Sequence, residues 1–212
     1  MRIEPHVFHA DDLIGGDLAL DLVNTVTARD GAPRDRLPDY AALLQWARAN
    51  DAFGVRDLAA LGRLAAASPA KARAALGRLK LLREALCSTL YALLRGRTPA
   101  EADLQRIHAA YAAAAAAAQL RRSDGRALRS WTPQLSQLDL ITHVVAIRAI
   151  ALLEEAEFAR LRICDGHDCG WVFLDTSKSG RRRWCDMATC GNTAKAQRFQ
   201  RRHAGVERRA AG

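Results

Sequence analysis

Four cysteines within 27 residues, spaced Cys164-x4-Cys169-x15-Cys185-x4-Cys190, set the tightest limit on how this chain folds. Two close pairs separated by a loop supply two edges of a tetrahedron, which suits one zinc ion held by four thiolates. Residues 1–12 carry His6, His9 and several acids in place of an apolar run, so no secretory signal is expected. The expected setting is therefore cytoplasmic, where clustered cysteines serve as metal ligands more often than as disulfides. Four sulfurs leave no open position for water, so the zinc is expected to be structural rather than catalytic. A segment this short has few large apolar side chains, and the ion must supply much of its folding free energy. The fifth cysteine, Cys87, lies in a leucine-rich helical stretch and reads as a small buried residue.

The residues around the cysteines give this module a shape. Trp171 to Leu174 reads as a short strand just after the first pair, Lys178-Ser-Gly180 as a turn, and Arg182-Arg183-Trp184 as the return toward Cys185. The expected hairpin thus lies between the two pairs. Residues 194–203 read as a basic helix, which places the second pair at a helix start. Knuckle, hairpin and helix together make a treble-clef layout. Trp171 and Trp184 are expected to build the small core beside the metal.

Charge points to the partner. Residues 160–212 hold 12 Lys and Arg against 5 Asp and Glu, whereas the preceding 159 residues hold 20 against 18. Most of the net charge of +9 therefore sits on the cysteine module. A concentrated positive patch implies an anionic partner, with nucleic acid first among candidates. The candidate contacts are Lys178, Arg181, Arg182 and Arg183 from the loop, and Lys195, Arg198, Arg201 and Arg202 from the last helix. Gln197 and Arg198 are the candidate base readers.

Ahead of the module the chain reads as mainly α, with residues 1–159 forming a helical domain and 160–212 the zinc domain. Aromatic residues make up only 6% of the chain, which favours a core of Leu, Ile, Val and Ala on helices. Leu18, Leu22 and Val26 recur at helical spacing and predict a first helix. Pro38-Asp39 opens a second, with Leu43, Leu44, Trp46 and Ala47 inward. Ser68-Pro69 starts a long helix to about Leu94, with Leu76, Leu79, Leu82, Leu86, Leu90 and Leu93 buried. Thr98-Pro99, with Glu101 following, predicts a capping box at the next helix start. Asp124-Gly125 between two short flanks predicts a β-hairpin, and a helix from about Ser136 to Phe158 follows. Its apolar run, Ile141 to Leu153, is shorter than the roughly 20 residues of a membrane span.

Two groups of polar residues stand out in this helical region. Asp21, Asn24 and Thr25 sit beside an apolar helix face, and His143 and Arg148 interrupt the last apolar helix. They are the candidate ligand-binding residues, although capping and internal hydrogen bonding commonly claim such side chains. No Gly-rich phosphate loop, nucleophile elbow or paired-histidine motif is present, and catalysis is not expected.

Phe173-Leu-Asp-Thr-Ser177, Arg182-Arg-Trp-Cys185 and Cys190-Gly191-Asn192 closely resemble the CGNR-type zinc finger. Leu20-Asp21-Leu-Val-Asn24-Thr25 resembles the signature of the ABATE domain, which precedes that finger in bacterial proteins. The resemblance implies a stress-related transcription regulator, with a ligand-sensing helical domain and a treble-clef finger that contacts double-stranded DNA. One position departs from the pattern: Thr193 stands where the family name has Arg, so a phosphate contact from that side chain would be missing. Lys195 or Arg198 on the same helix could replace it. The alternative reading is an RNA-binding or protein-interaction module, with Trp171 and Trp184 free to stack on bases. A homodimer would suit a regulator that reads paired half-sites, though no heptad seam is visible.

Overall fold

In the computed structural model the described residues are 1–123, 125–154, 156–198 and 200. Among these residues the fold is mainly helical, with three small sheets, in line with the composition. At its centre lies α1 (Leu18–Val23), in which Ala19, Leu20, Asp21, Leu22 and Val23 are all buried. Asp17 caps it by accepting from the Ala19 N–H at 2.8 Å. The helix is shorter than the apolar spacing suggests. It ends at Asn24, and Val26 belongs instead to a strand, β2 (Val26–Thr27). β2 pairs antiparallel with β3 (Arg34–Asp35), which pairs in parallel with β1 (Arg2–Ile3) on its other edge. Strands of two residues carry no periodicity, so nothing in the local sequence announces this sheet.

α4 (Pro69–Leu94) and α7 (Leu140–Glu154) pack on α1; α2 (Tyr40–Arg48) and α3 (Val55–Ala67) pack on each other and on α4, and α5 (Glu101–Ala116) packs on α4 and α7. Asp39 caps α2 through the Ala42 N–H at 2.8 Å, and Leu43, Leu44, Trp46 and Ala47 are buried as expected. Pro69 opens α4 without a side-chain cap from Ser68. Leu76, Leu79, Leu82, Leu86 and Leu90 form its buried stripe, while Leu93 is 39% exposed. The predicted capping box does not form. The backbone stays extended through Ala100, and α5 begins at Glu101 without a side-chain cap. Burial of each such leucine is worth about 1.5–3 kcal/mol, so this stripe dominates the stability of α4.

The hairpin expected around Gly125 is present as β4 (Gln119–Ser123) and β5 (Arg126–Ser130). The long helix expected after it is broken. α6 (Pro133–Ser136) is followed by a tight turn, where Gln137 has φ of 47°, before α7 begins. Residues Pro133–Glu154 together are long and apolar enough to cross a membrane by composition, but half of that stretch is buried. Its α7 portion packs on α1, α4 and α5, the position of a core helix.

A 3-10 turn over Ala156–Arg160 leads into β6 (Leu161–Ile163), which pairs antiparallel with β7 (Val172–Leu174). This corrects the expected hairpin. The strand at 172–174 exists, but its partner precedes Cys164, so the first cysteine pair occupies the hairpin's own turn. Residues 182–184 return as an irregular segment. A wide π-type turn over Met187–Gly191 then feeds α8 (192–198).

Candidate metal centre and nucleic-acid interface

The four cysteine sulfurs come together from three segments: the β6–β7 turn, the return segment and the π-type turn that leads into α8. All four Sγ atoms lie within 4.8 Å of one another. Cys169 and Cys185 are 3.8 Å apart and Cys185 and Cys190 3.7 Å. A tetrahedron with metal–sulfur bonds of about 2.3 Å has edges of about 3.8 Å, so these two edges match the tetrahedral site of one zinc ion. The backbone prepares the site as well. The N–H groups of Gly166 and Cys185 each point to Cys164 Sγ at 3.3 Å. Sulfur contacts with Cys169 and Cys185, together with these donors, lower the Cys164 thiol pKa and favour the thiolate that a metal needs. Phe173 fills the small core beneath, with Trp171 and Trp184 packed against it. At Gly191 a Cβ would fall 2.8 Å from Met187 Sδ, so a larger residue there would displace that methionine side chain.

The finger is fastened to the helical domain along one strand. Asn24 Nδ2 donates to the Val172 carbonyl at 2.9 Å, and the Val172 N–H donates to Asn24 Oδ1 at 3.0 Å. The side-chain amide thus acts as a one-residue strand beside β7. Trp171 Nε1 donates to the Val26 carbonyl at 3.0 Å, and the Arg29 N–H to the Cys169 carbonyl at 3.1 Å. The Tyr91 hydroxyl donates to the Gly170 carbonyl. Gly170 has φ of +67°, and a Cβ there would meet the Tyr91 hydroxyl at 2.6 Å, so no other residue fits this crossing. These contacts link residues 145 or more apart in the case of Asn24 and Trp171, and no local pattern could have revealed them.

Other polar residues of the LDLVNT segment are also engaged internally. Asp21 Oδ1 accepts from the Gly15 N–H at 2.8 Å, and Thr25 Oγ1 donates to Leu22 and accepts from Arg83. Burial raises the Asp21 carboxyl to about 7; the Gly15 bond opposes this and nearby Asp17 adds to it. The folded protein therefore holds a proton between about pH 4 and 7 that the unfolded chain releases, so stability falls as pH rises through that window. Asp21→Asn keeps the acceptor for Gly15 and removes the charge. It is expected to melt several degrees above wild type at pH 8, with a smaller gap at pH 5. Parallel melting curves across that range would refute the assignment.

His143 and Arg148 are separated in space. Arg148 Nε donates to Asp17 Oδ2 at 2.6 Å, beside the start of α1. His143 bonds Ser136 at 3.0 Å and lines a groove of about 370 Å3 between α4, α5 and α7, floored by Leu81, Leu82, Ala110 and Ala113. A larger cleft of about 920 Å3 runs between the β2–β3 edge and the finger, lined by Arg34, Arg36, Trp171 and three of the cysteines.

The basic residues divide into two groups. Arg182 is spent on the fold: its guanidinium lies over Phe173, Nε donates to the Trp184 carbonyl at 2.8 Å, and Nη2 donates to the Cys185 carbonyl. Arg183 pairs with Asp165 at 2.8 Å and lies over Trp184. Lys178, Arg181, Lys195 and Arg198 are exposed and form no ion pair among the described residues. Arg201 and Arg202 lie outside those residues. Buried Asp175 shapes the loop that carries Lys178 and Arg181, accepting from the N–H groups of Ser177 at 2.9 Å and Arg182 at 2.8 Å.

A family profile described as "Putative stress-induced transcription regulator", ABATE, matches residues 16–156, and the CGNR zinc finger profile matches residues 160–203. The chain belongs to the ABATE family. No curated protein matches it. In this ABATE protein the LDLVNT signature falls on α1 and on the residues that hold the finger, and the CGN tripeptide falls on the fourth cysteine and the turn into α8.

Proposed function

We propose that this protein is a zinc-dependent transcription regulator that binds double-stranded DNA through its finger and responds to a small ligand through its helical domain. The observation that carries the reading is the set Lys178, Arg181, Lys195 and Arg198: cationic, exposed and unpaired among the described residues, on a scaffold fixed by the metal. Lys195 and Arg198 share a face of α8 at a spacing of three, as phosphate contacts along a groove require. For the ligand, the groove beside His143 offers an apolar floor and a polar rim of Arg78, Asp139 and His143. Asn24 would act on that response indirectly, by holding the finger, and Asp21 and Thr25 by holding the end of α1 through Gly15, Leu22 and Arg83.

The reading is tested by duplex binding measured at several salt concentrations. Wild type is expected to show a linear fall of log affinity with log salt. The variant Arg181→Ala/Lys195→Ala/Arg198→Ala is expected to reduce that slope by about 0.9 for each phosphate it no longer neutralises. Arg182→Ala would instead lower the melting temperature. Salt-independent binding, or a triple variant with unchanged slope, would overturn the reading. Preference for single-stranded RNA that is abolished in Trp184→Ala would favour the RNA alternative.

A further inference from the structure

The β4–β5 hairpin is a ribbon without a core. Of its ten residues only the root pair, Gln119 and Ser130, is partly buried; the rest are exposed. The root is fixed by Trp131, whose Nε1 donates to the Ala114 carbonyl at the end of α5 at 2.8 Å. Beyond that the ribbon stands clear of the helices, reaching roughly 17 Å at about 3.3 Å per residue. An isolated two-stranded ribbon gains little stability from burial, so its sequence is free to serve a surface role.

That sequence is strongly cationic. Arg121, Arg122, Arg126 and Arg129 are all exposed and make no ion pair among the described residues. The register distributes them evenly. Arg121 faces Leu128 and Ser123 faces Arg126, which puts two arginines and one leucine on one side. Leu120 faces Arg129 and Arg122 faces Ala127, which puts the same set on the other. Leu120 is 72% exposed and Leu128 49%, so both leave apolar surface in water. Both strands are also open sheet edges. A second copy pairing along either edge would gather eight arginines on one four-stranded ribbon, which like-charge repulsion opposes.

We propose that this hairpin is a second nucleic-acid contact, an arm whose two arginine-bearing faces straddle the phosphates of duplex DNA. A two-stranded ribbon fits the major groove, which is about 12 Å wide and about 8.5 Å deep, so the arm is long enough to reach the groove floor. With arginines on both faces, each wall of phosphates meets two cations. Leu120 and Leu128 then lie against sugars or thymine methyls instead of water. The inference deepens the DNA-binding reading above by adding an attachment point far in sequence from the finger.

The test compares three full-length proteins on one duplex: wild type, the arm variant Arg121→Gln/Arg122→Gln/Arg126→Gln/Arg129→Gln, and the finger variant Lys195→Ala/Arg198→Ala. A two-residue arm variant, Arg121→Gln/Arg126→Gln, guards against misfolding, and melting temperatures check all four. The expected result is an unchanged melting temperature for both arm variants. The salt slope should fall by about 0.9 for each phosphate the arm no longer neutralises, with affinity at least tenfold weaker in the four-residue variant. Wild-type affinity and slope in the arm variants, with weakened binding in the finger variant, would overturn the arm and leave the finger reading standing. Weakened binding in the arm variants with an unaffected finger variant would uphold the arm and overturn the finger reading. Failure of wild type to bind duplex, or arm-dependent binding to single-stranded RNA or an acidic protein alone, would overturn the proposal.

Discussion

Cys164→Ser is expected to abolish zinc binding and unfold the finger while the helical domain remains folded. Zinc content, measured after denaturation with a colorimetric chelator, should fall from one ion per chain to nearly none. Cys87→Ser, which alters a buried thiol of α4, should retain the ion. Cys164 is the sulfur that two backbone N–H groups address, so its replacement removes a ligand and orphans both donors. Structural zinc sites of this type contribute about 10–16 kcal/mol of apparent binding free energy at neutral pH, more than the Phe173 core can replace. Hydrogen exchange should rise sharply across residues 164–170 and 185–198, with α4 and α7 still protected. Retention of stoichiometric zinc by Cys164→Ser, or its absence from Cys87→Ser, would contradict the four-sulfur site.

Arg83→Ala should be the most destabilising single change in the helical domain, at about 3–5 kcal/mol. Arg83 is fully buried and Asp35 is 2% exposed. Two nearly parallel bonds join them, Nη1 to Oδ1 at 2.9 Å and Nη2 to Oδ2 at 3.0 Å. Arg83 Nε also reaches Glu84 at 2.7 Å, and Glu84 holds Arg29, whose backbone donates to Cys169. Burial alone would raise the Asp35 carboxyl, but Arg83 and Lys80 outweigh it and hold the group at about 2. Its contribution to stability is therefore present above about pH 4 and is lost as pH falls toward 2. Truncating Arg83 leaves Asp35 with Lys80, at 2.8 Å, as its remaining cation. A drop of roughly 10 °C in melting temperature follows for a chain of this size. Adding Asp35→Asn should recover part of it, since a buried carboxylate left with one cation in place of two is the costly element. A destabilisation below about 1 kcal/mol for Arg83→Ala would show that the network carries little of the stability.

The elements legible in the sequence are those specified by near neighbours. Asp39 before Tyr40, Pro69 at the head of α4 and Gly125 between β4 and β5 each act within a few residues, and each marks its element correctly. Thr98 misled because the chain stays extended beyond Pro99, through Ala100. The cysteine spacing identified the metal set because a tetrahedron demands a fixed donor number. It did not identify the hairpin partner of Val172–Leu174, since Leu161–Ile163 and the return segment both lie within reach along the chain. Asn24 was legible only as a polar residue beside an apolar face; its partner lies 148 residues away. The arginines looked alike in the sequence. Only the fold separates Arg182, which braces the zinc loop, from Arg181, which does not.

The amide of Asn24 at β7 also governs where the molecule can be divided. A cut at residue 160 looks natural on the chain, yet it would leave Val172 with both backbone groups unpaired and strip Trp171 of its acceptor on Val26. An excised finger would therefore begin life with a damaged face even when loaded with zinc. A finger grafted from another protein would seat here only if its own strand offered the same two backbone groups to residue 24. The seam between the halves runs through a hydrogen-bonded strand edge, so the two modules can be exchanged only as a matched pair.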